Sequence, residues 1–159
     1  MEEQGAKIVD MILPAVDEYL GNYTVISSEE LLKVPIDLEA SADYLFKGFV
    51  DLVVKTSDGK YHIIDWKTCG WGWDARKRSE PMVTYQLTLY KHYFAKKHNI
   101  DPKNIETHFA LLKRTAKKDN VEIFRVTSGP KKTENALKLL NKALYNISRK
   151  KYIKNRLSC

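Results

Sequence analysis

Two aspartates and a lysine stand inside apolar strands of this chain: Asp51 in Phe49-Val50-Asp51-Leu52-Val53, and Asp65 and Lys67 in Ile63-Ile64-Asp65-Trp66-Lys67-Thr68. Charge in such a setting is costly unless it is paired or has a task. The residues between the two runs include Ser57-Asp58-Gly59, the turn of a β-hairpin. A two-residue Asp58-Gly59 turn pairs Ser57 with Lys60 and sends the two acids to opposite faces of the sheet. A three-residue turn, with Gly59 in the left-handed conformation, pairs Thr56 with Lys60 and sets Asp51 opposite Asp65, their Cβ atoms about 5 Å apart.

Carboxylates that close repel in a half-buried site, so they share either a proton or a cation. Lys67, two residues beyond Asp65, lies on the same face at about 6.6 Å along the strand. Two acids and a lysine converging on one face suit phosphodiester hydrolysis. Mg²⁺ or a similar hard ion takes oxygen ligands and offers a bound water as nucleophile, while lysine orients that water or stabilises developing charge. The plainer alternative is a surface ion pair between Asp65 and Lys67, with Asp51 at a strand edge.

The elements around the hairpin follow from periodicity. Ile8, Val9, Met11, Ile12, Val16 and Leu20 recur at helical spacing before Gly21-Asn22, which predicts a helix over 5–20 that Pro14 kinks or restarts. Residues 23–36 read as a strand interrupted at Ser27-Ser28-Glu29-Glu30, and 37–43 as a loop. Residues 71–81 read as a loop, and 83–97 as a helix with Leu87, Leu89, Tyr90 and Phe94 on its apolar stripe. Strands are expected over 105–112 and 121–126, and a lysine-rich helix over 131–153.

The chain has 159 residues, 43% of them hydrophobic, which suits one compact domain over 1–159. A fragment of a longer chain ending in a cysteine motif is the other reading. No run of about 18 apolar residues suggests a membrane span, and Glu2 and Glu3 are unlike a basic leader. Cys69 and Cys159 are too few for a disulfide framework and lack zinc spacing, so a reduced, cytoplasmic setting is expected. That setting is nucleoid-associated, or the host-cell cytoplasm for a viral protein. The net charge of +7 is concentrated: residues 111–159 hold 14 Lys and Arg against 3 Asp and Glu. Such a region attracts polyanions, nucleic acid above all, or is only a solvated face.

In order along the chain stand Gly48-Phe49-Val50-Asp51, then Asp65-Trp66-Lys67, then Gln86-Leu87-Thr88-Leu89-Tyr90. These resemble the G-x-x-D, D-x-K and Q-x-x-x-Y elements of the PD-(D/E)xK nucleases, and most of all the RecB-type exonuclease branch. The stretch Asp65 to Thr68 is also similar to the mitochondrial genome-maintenance exonuclease. The resemblance covers roughly residues 5–115. It implies an α/β fold with a restriction-endonuclease-like core, a central mixed four- to five-stranded sheet flanked by helices. It also implies a DNA nuclease using Mg²⁺ or Mn²⁺ and leaving a 5′-phosphate. By resemblance Asp51 and Asp65 are metal ligands, the Trp66 carbonyl is another, and Lys67 is catalytic. The family's earlier acid is Glu29 or Glu30, with Glu29 preferred. Gln86 and Tyr90, one helical turn apart, reach toward the site or a phosphate. Two family features are unmatched: no histidine precedes Asp51, and an iron-sulfur cluster is not expected from two cysteines.

The DNA surface is expected in two places. Trp71, Trp73, Arg76, Lys77 and Arg78 follow the Asp-x-Lys strand and mix rings with cations, suited to stacking on bases and clamping a single strand. Lys113, Arg114, Lys117 and Lys118 form a basic turn between two strands. The expected function is an exonuclease acting on DNA ends or single strands in recombination, repair or phage replication. The alternatives are a non-catalytic nucleic-acid-binding module with the same fold and a structure-specific endonuclease. The sequence names neither a protein partner nor an oligomeric state.

Overall fold

The computed structural model describes residues 2–37 and 44–151. Its elements run α1 (Glu2–Leu20), β1 (Tyr23–Pro35), β2 (Leu45–Thr56), β3 (Tyr61–Cys69), α2 (Ala75–Ser79), α3 (Pro81–His98), a 3₁₀ turn (Pro102–Asn104), β4 (Ile105–Lys113), β5 (Val121–Val126) and α4 (Pro130–Ser148). The strands form a five-stranded sheet in the order β1-β2-β3-β4-β5. All neighbours are antiparallel except β3 and β4, which run parallel. The fold is therefore α/β, with a mixed sheet flanked by helices. Among the described residues no helix is long and apolar enough to cross a membrane.

A parallel pair needs a crossover connection, and α3 is that connection. Pro81 starts the helix, and Asn99 ends it in the left-handed region with φ 52°, its N–H bonded to the Ala95 carbonyl. Leu87, Tyr90, Tyr93 and Phe94 of α3 are packed with Leu32, Val50, Val53, Ile63, Phe109 and Leu111 of the sheet and Leu144 of α4. The other face is covered by α1, where Val16 packs on Ile64 and Ala110 with Leu52 and Trp66 alongside. Alternation along β3 thus sends Ile63, Asp65 and Lys67 toward α3, and His62, Ile64 and Trp66 toward α1.

Several local expectations are revised. The strand over 23–36 is continuous as β1. Its irregularity is a register shift between Val25 and Ser27 together with Glu29 at φ 50°. The segment 71–81 is not all loop: α2 forms there, capped by Asp74, whose side chain accepts the Lys77 N–H. α1 passes through Pro14 as one helix. The closing helix begins at Pro130 and ends at Ser148, and the end of its predicted range lies outside the described residues, as do 38–43 of the predicted loop and Cys159.

Candidate active site

The hairpin takes the three-residue turn. Thr56 N–H bonds to the Lys60 carbonyl at 3.0 Å, Gly59 N–H bonds to the Thr56 carbonyl at 3.0 Å, and Gly59 has φ 85°. Lys55 pairs with Tyr61, Val54 with His62, Val53 with Ile63 and Leu52 with Ile64. The next step in this register is Asp51 opposite Asp65.

The β2–β3 ladder ends at that step. Alternation of hydrogen-bonded pairs from Thr56–Lys60 through Leu52–Ile64 would next join Trp66 to Val50. Instead Trp66 N–H donates to Asp51 Oδ2 at 2.8 Å. β2 here changes phase: Val50 and Val53, three residues apart, both lie in the core on the α3 side, while Leu52 packs on the α1 side. Beyond the fork β2 stays with β1, and β3 stays with β4 through Cys69. The same alternation turns the Trp66 carbonyl toward β2, the side on which Asp51 lies.

Asp65 is 2% exposed and sits under α3. Gln86 Nε2 donates to Asp65 Oδ1 at 3.0 Å and contacts the Tyr90 hydroxyl at 3.1 Å, while Gln86 Oε1 accepts from Lys67 Nζ at 2.9 Å. Lys67 Nζ also lies 2.7 Å from Asp65 Oδ2. That contact is close but poorly directed, so Oδ2 has no aligned hydrogen bond among the described residues. Burial pushes the Asp65 carboxyl above its usual range; Lys67 opposes the shift and Asp51 adds to it.

Tyr90 reaches this network because Gly48 makes room. A Cβ at Gly48 would lie 2.8 Å from Tyr90 Cε1. The glycine of G-x-x-D and the tyrosine of Q-x-x-x-Y are thus one packing contact, a link that linear spacing does not reveal.

A divalent cation fits the donors present. Two carboxylates and a main-chain carbonyl are hard oxygen ligands, and the buried Asp65 Oδ2, met by the Lys67 ammonium alone among the described residues, keeps lone-pair capacity for a divalent ion.

The candidates for an earlier acid separate. Glu30 lies on the α3 face of β1, where its carboxylate contacts Ser27, Lys97 and His98 at 2.6 Å each. Those partners hold it below the usual carboxylate range against the opposing effect of burial. Glu29 is exposed and falls between the pairs Ser28–Leu52 and Glu30–Val50, at the register position of Asp51.

The two tryptophans part company as well. Trp73 is buried at 9% against Phe109 and Phe124, with Lys77 over its ring, so it is a core ring and not an open stacking platform. Trp71 is 78% exposed. Arg78 is engaged within the fold: it donates to the Trp73 carbonyl, pairs with Glu122 and covers the Phe124 ring. Lys113 also pairs with Glu122 and is largely buried. Arg76 and Lys77 are exposed on α2, and Arg114, Lys117 and Lys118 are exposed at the β4–β5 turn.

One polar group was not visible in the sequence. His62, Glu106 and His108 converge on the α1 side of the sheet, away from Asp65. His62 faces Glu106 across the parallel β3–β4 ladder, and only that register brings them together.

The chain belongs to the PD-(D/E)XK nuclease superfamily, whose sequence model matches residues 4–158. Nucleases of this superfamily use divalent metals and act on nucleic acid. A similar solved structure is that of a candidate exonuclease from Eubacterium rectale, with a TM-score of 0.58 and 13% identity. That alignment covers 99% of this chain and 57% of the other. A second, SSO0001, has a TM-score of 0.49 at 15% identity, covering 88% of this chain and 60% of that one. The chain therefore spans about three fifths of each of these two solved chains. No curated protein matches it.

Proposed function

We propose that the protein is a deoxyribonuclease dependent on Mg²⁺ or Mn²⁺, working as an exonuclease on DNA ends or single strands. The observation that carries this reading is the hydrogen-bonded set Asp65, Lys67, Gln86 and Tyr90, with Asp51 tied to the neighbouring Trp66 N–H at the point where β2 leaves β3. Asp51, Asp65 and the Trp66 carbonyl are the residues that would hold the ion, with Glu29 the further candidate by register. When bound, the ion supplies an activated water and neutralises phosphate charge.

The chain's own residues do the rest. Gln86 holds Lys67 and Asp65 at fixed separation, with its amide oxygen on one and its amide nitrogen on the other. Lys67 thereby keeps its ammonium in the site, where it orients a water or stabilises charge on the phosphate. Tyr90 fixes the rotamer of Gln86 from behind. The substrate surface supported by exposure is Trp71 after β3 and Met82 on α3, one turn before Gln86, with Arg76 and Lys77 nearby in sequence.

The test is incubation of the full chain with end-labelled linear and circular single-stranded DNA, with Mg²⁺ or Mn²⁺, beside Asp65→Ala and Lys67→Ala. Cleavage of the linear substrate alone, lost in both variants, is the expected result. Cleavage of the circle would identify an endonuclease. DNA binding without any cutting would identify a non-catalytic module.

A further inference from the structure

We infer that His62, Glu106 and His108 form a zinc site on the face of the sheet opposite the carboxylate pair. His62 Nδ1 and His108 Nε2 share a hydrogen bond at 3.0 Å, whose proton a bound zinc ion would displace, and Glu106 Oε2 lies 4.0 Å from His62 Nδ1. One donor atom from each residue falls within 4.8 Å of the other two. Zinc–nitrogen bonds of about 2.0–2.1 Å at a tetrahedral angle set two nitrogens about 3.3 Å apart, so the imidazoles need little movement and the carboxylate a small rotation. Two imidazoles and a carboxylate leave one tetrahedral position for water.

The outer partners make this more than a chance grouping. The ring nitrogen of His108 turned away from the centre, Nδ1, meets the Tyr19 hydroxyl at 3.2 Å. That of His62, Nε2, meets Thr56 Oγ1 at 3.0 Å. The outward oxygen of Glu106, Oε1, is held by Lys60 at 3.2 Å and by Arg125 at 3.3 Å. Each ligand therefore has the second hydrogen bond that fixes metal-binding histidines and carboxylates in place. Both histidines are buried. Imidazole favours zinc over magnesium, whereas the oxygen donors at Asp51 and Asp65 favour magnesium or manganese, so the two centres select different ions. Lys60 and Arg125 add positive charge beside the ion, which opposes its binding. The ion would join adjacent strands β3 and β4 and, through Tyr19, the helix α1.

The experiment strips the full-length chain with chelator and titrates it with Zn²⁺ in the presence of excess Mg²⁺, reading stoichiometry by calorimetry and elemental analysis. The expected result is one zinc per chain, retained in the Asp51→Ala/Asp65→Ala double variant, weakened more than about 100-fold in His62→Ala and about 10–100-fold in Tyr19→Phe. Co²⁺ in place of zinc is expected to give the visible absorption of a four-coordinate ion in the wild-type chain, which settles the matter if His62→Ala fails to fold. No zinc uptake, no such cobalt spectrum, undiminished binding by a folded His62→Ala, or loss of zinc in the double aspartate variant would each overturn the assignment.

Discussion

The Asp51 carboxylate stands in for a main-chain carbonyl: its Oδ2 accepts the Trp66 N–H at 2.8 Å where the β2–β3 ladder stops. One side chain thus both takes up the N–H at which the strand pairing ends and lies near enough to Asp65 to raise its carboxyl. The two roles separate by substitution. Asp51→Asn keeps an oxygen acceptor for Trp66, so its unfolding midpoint should stay near the wild-type value while cleavage is lost. Asp51→Ala removes the acceptor and should cost a further ~1–3 kcal/mol in urea unfolding.

Asp65 is held at the expense of stability. Its folded pKa is raised by burial, so the folded chain binds more protons than the unfolded one between the two values. Stability of the metal-free protein should therefore fall as pH rises from the unfolded value of about 3.9 through the raised folded value. Asp65→Asn abolishes that slope. In chelator at neutral pH its melting temperature should exceed the wild-type one, while cleavage drops at least ~100-fold. A melting temperature below wild type would show that the carboxylate is stabilised by Lys67 and Gln86 after all.

Gly48→Ala tests the contact behind the network. The new methyl would sit 2.8 Å from Tyr90 Cε1, and the ring, only 9% exposed, has little room to withdraw. Overpacking of this kind costs about 1–3 kcal/mol. Displacing Tyr90 also loosens Gln86, so cleavage should fall about 10–100-fold, and Tyr90→Phe should reproduce much of that loss without the stability cost.

Trp71 and Trp73 should behave as opposites. Trp73→Ala opens a cavity beside Phe109 and Phe124 and should destabilise the fold by about 3–5 kcal/mol. Trp71→Ala should leave stability within about 0.5 kcal/mol. If Trp71 stacks on a base, its loss should weaken single-strand binding by about 1–3 kcal/mol, or roughly 5- to 150-fold, by fluorescence anisotropy.

His108 carries an acid-side signature of the opposite sign to Asp65. Burial first, and His62 after it, lower its imidazole to about 3. A histidine kept neutral in the fold contributes stability present above its unfolded pKa of about 6.5 and lost as pH falls from there toward about 3. In metal-free protein, the urea midpoint should drop between pH 7.5 and pH 5, and His108→Gln should flatten that drop. An unchanged slope would mean another group dominates.

The parts legible from sequence were those decided locally. The hairpin register rests on one glycine and a loop of three residues, so Asp51, Asp65 and Lys67 could be placed together before any fold was known. Helical spacing put Gln86 and Tyr90 on one face of a helix, and the family resemblance, not the spacing, turned that face toward the site. What escaped was decided by distant partners. Trp73 is buried because Phe109 and Phe124, on strands formed later in the chain, close over it. Glu29 and Glu30 could not be separated because a register shift and a left-handed residue interrupt the alternation that would have told them apart. His62, Glu106 and His108 meet only through the parallel pairing of β3 with β4.

That parallel pairing governs the medium around the candidate-site carboxylate Asp65. Had β3 and β4 been antiparallel, a short turn would have joined them and left the Asp65 side of the sheet open to bulk water. Running them in the same direction obliges the chain to travel back across that surface, and the returning segment is α3, bearing Gln86 and Tyr90. The low dielectric around Asp65, and the amide that braces Lys67, are thus products of strand direction.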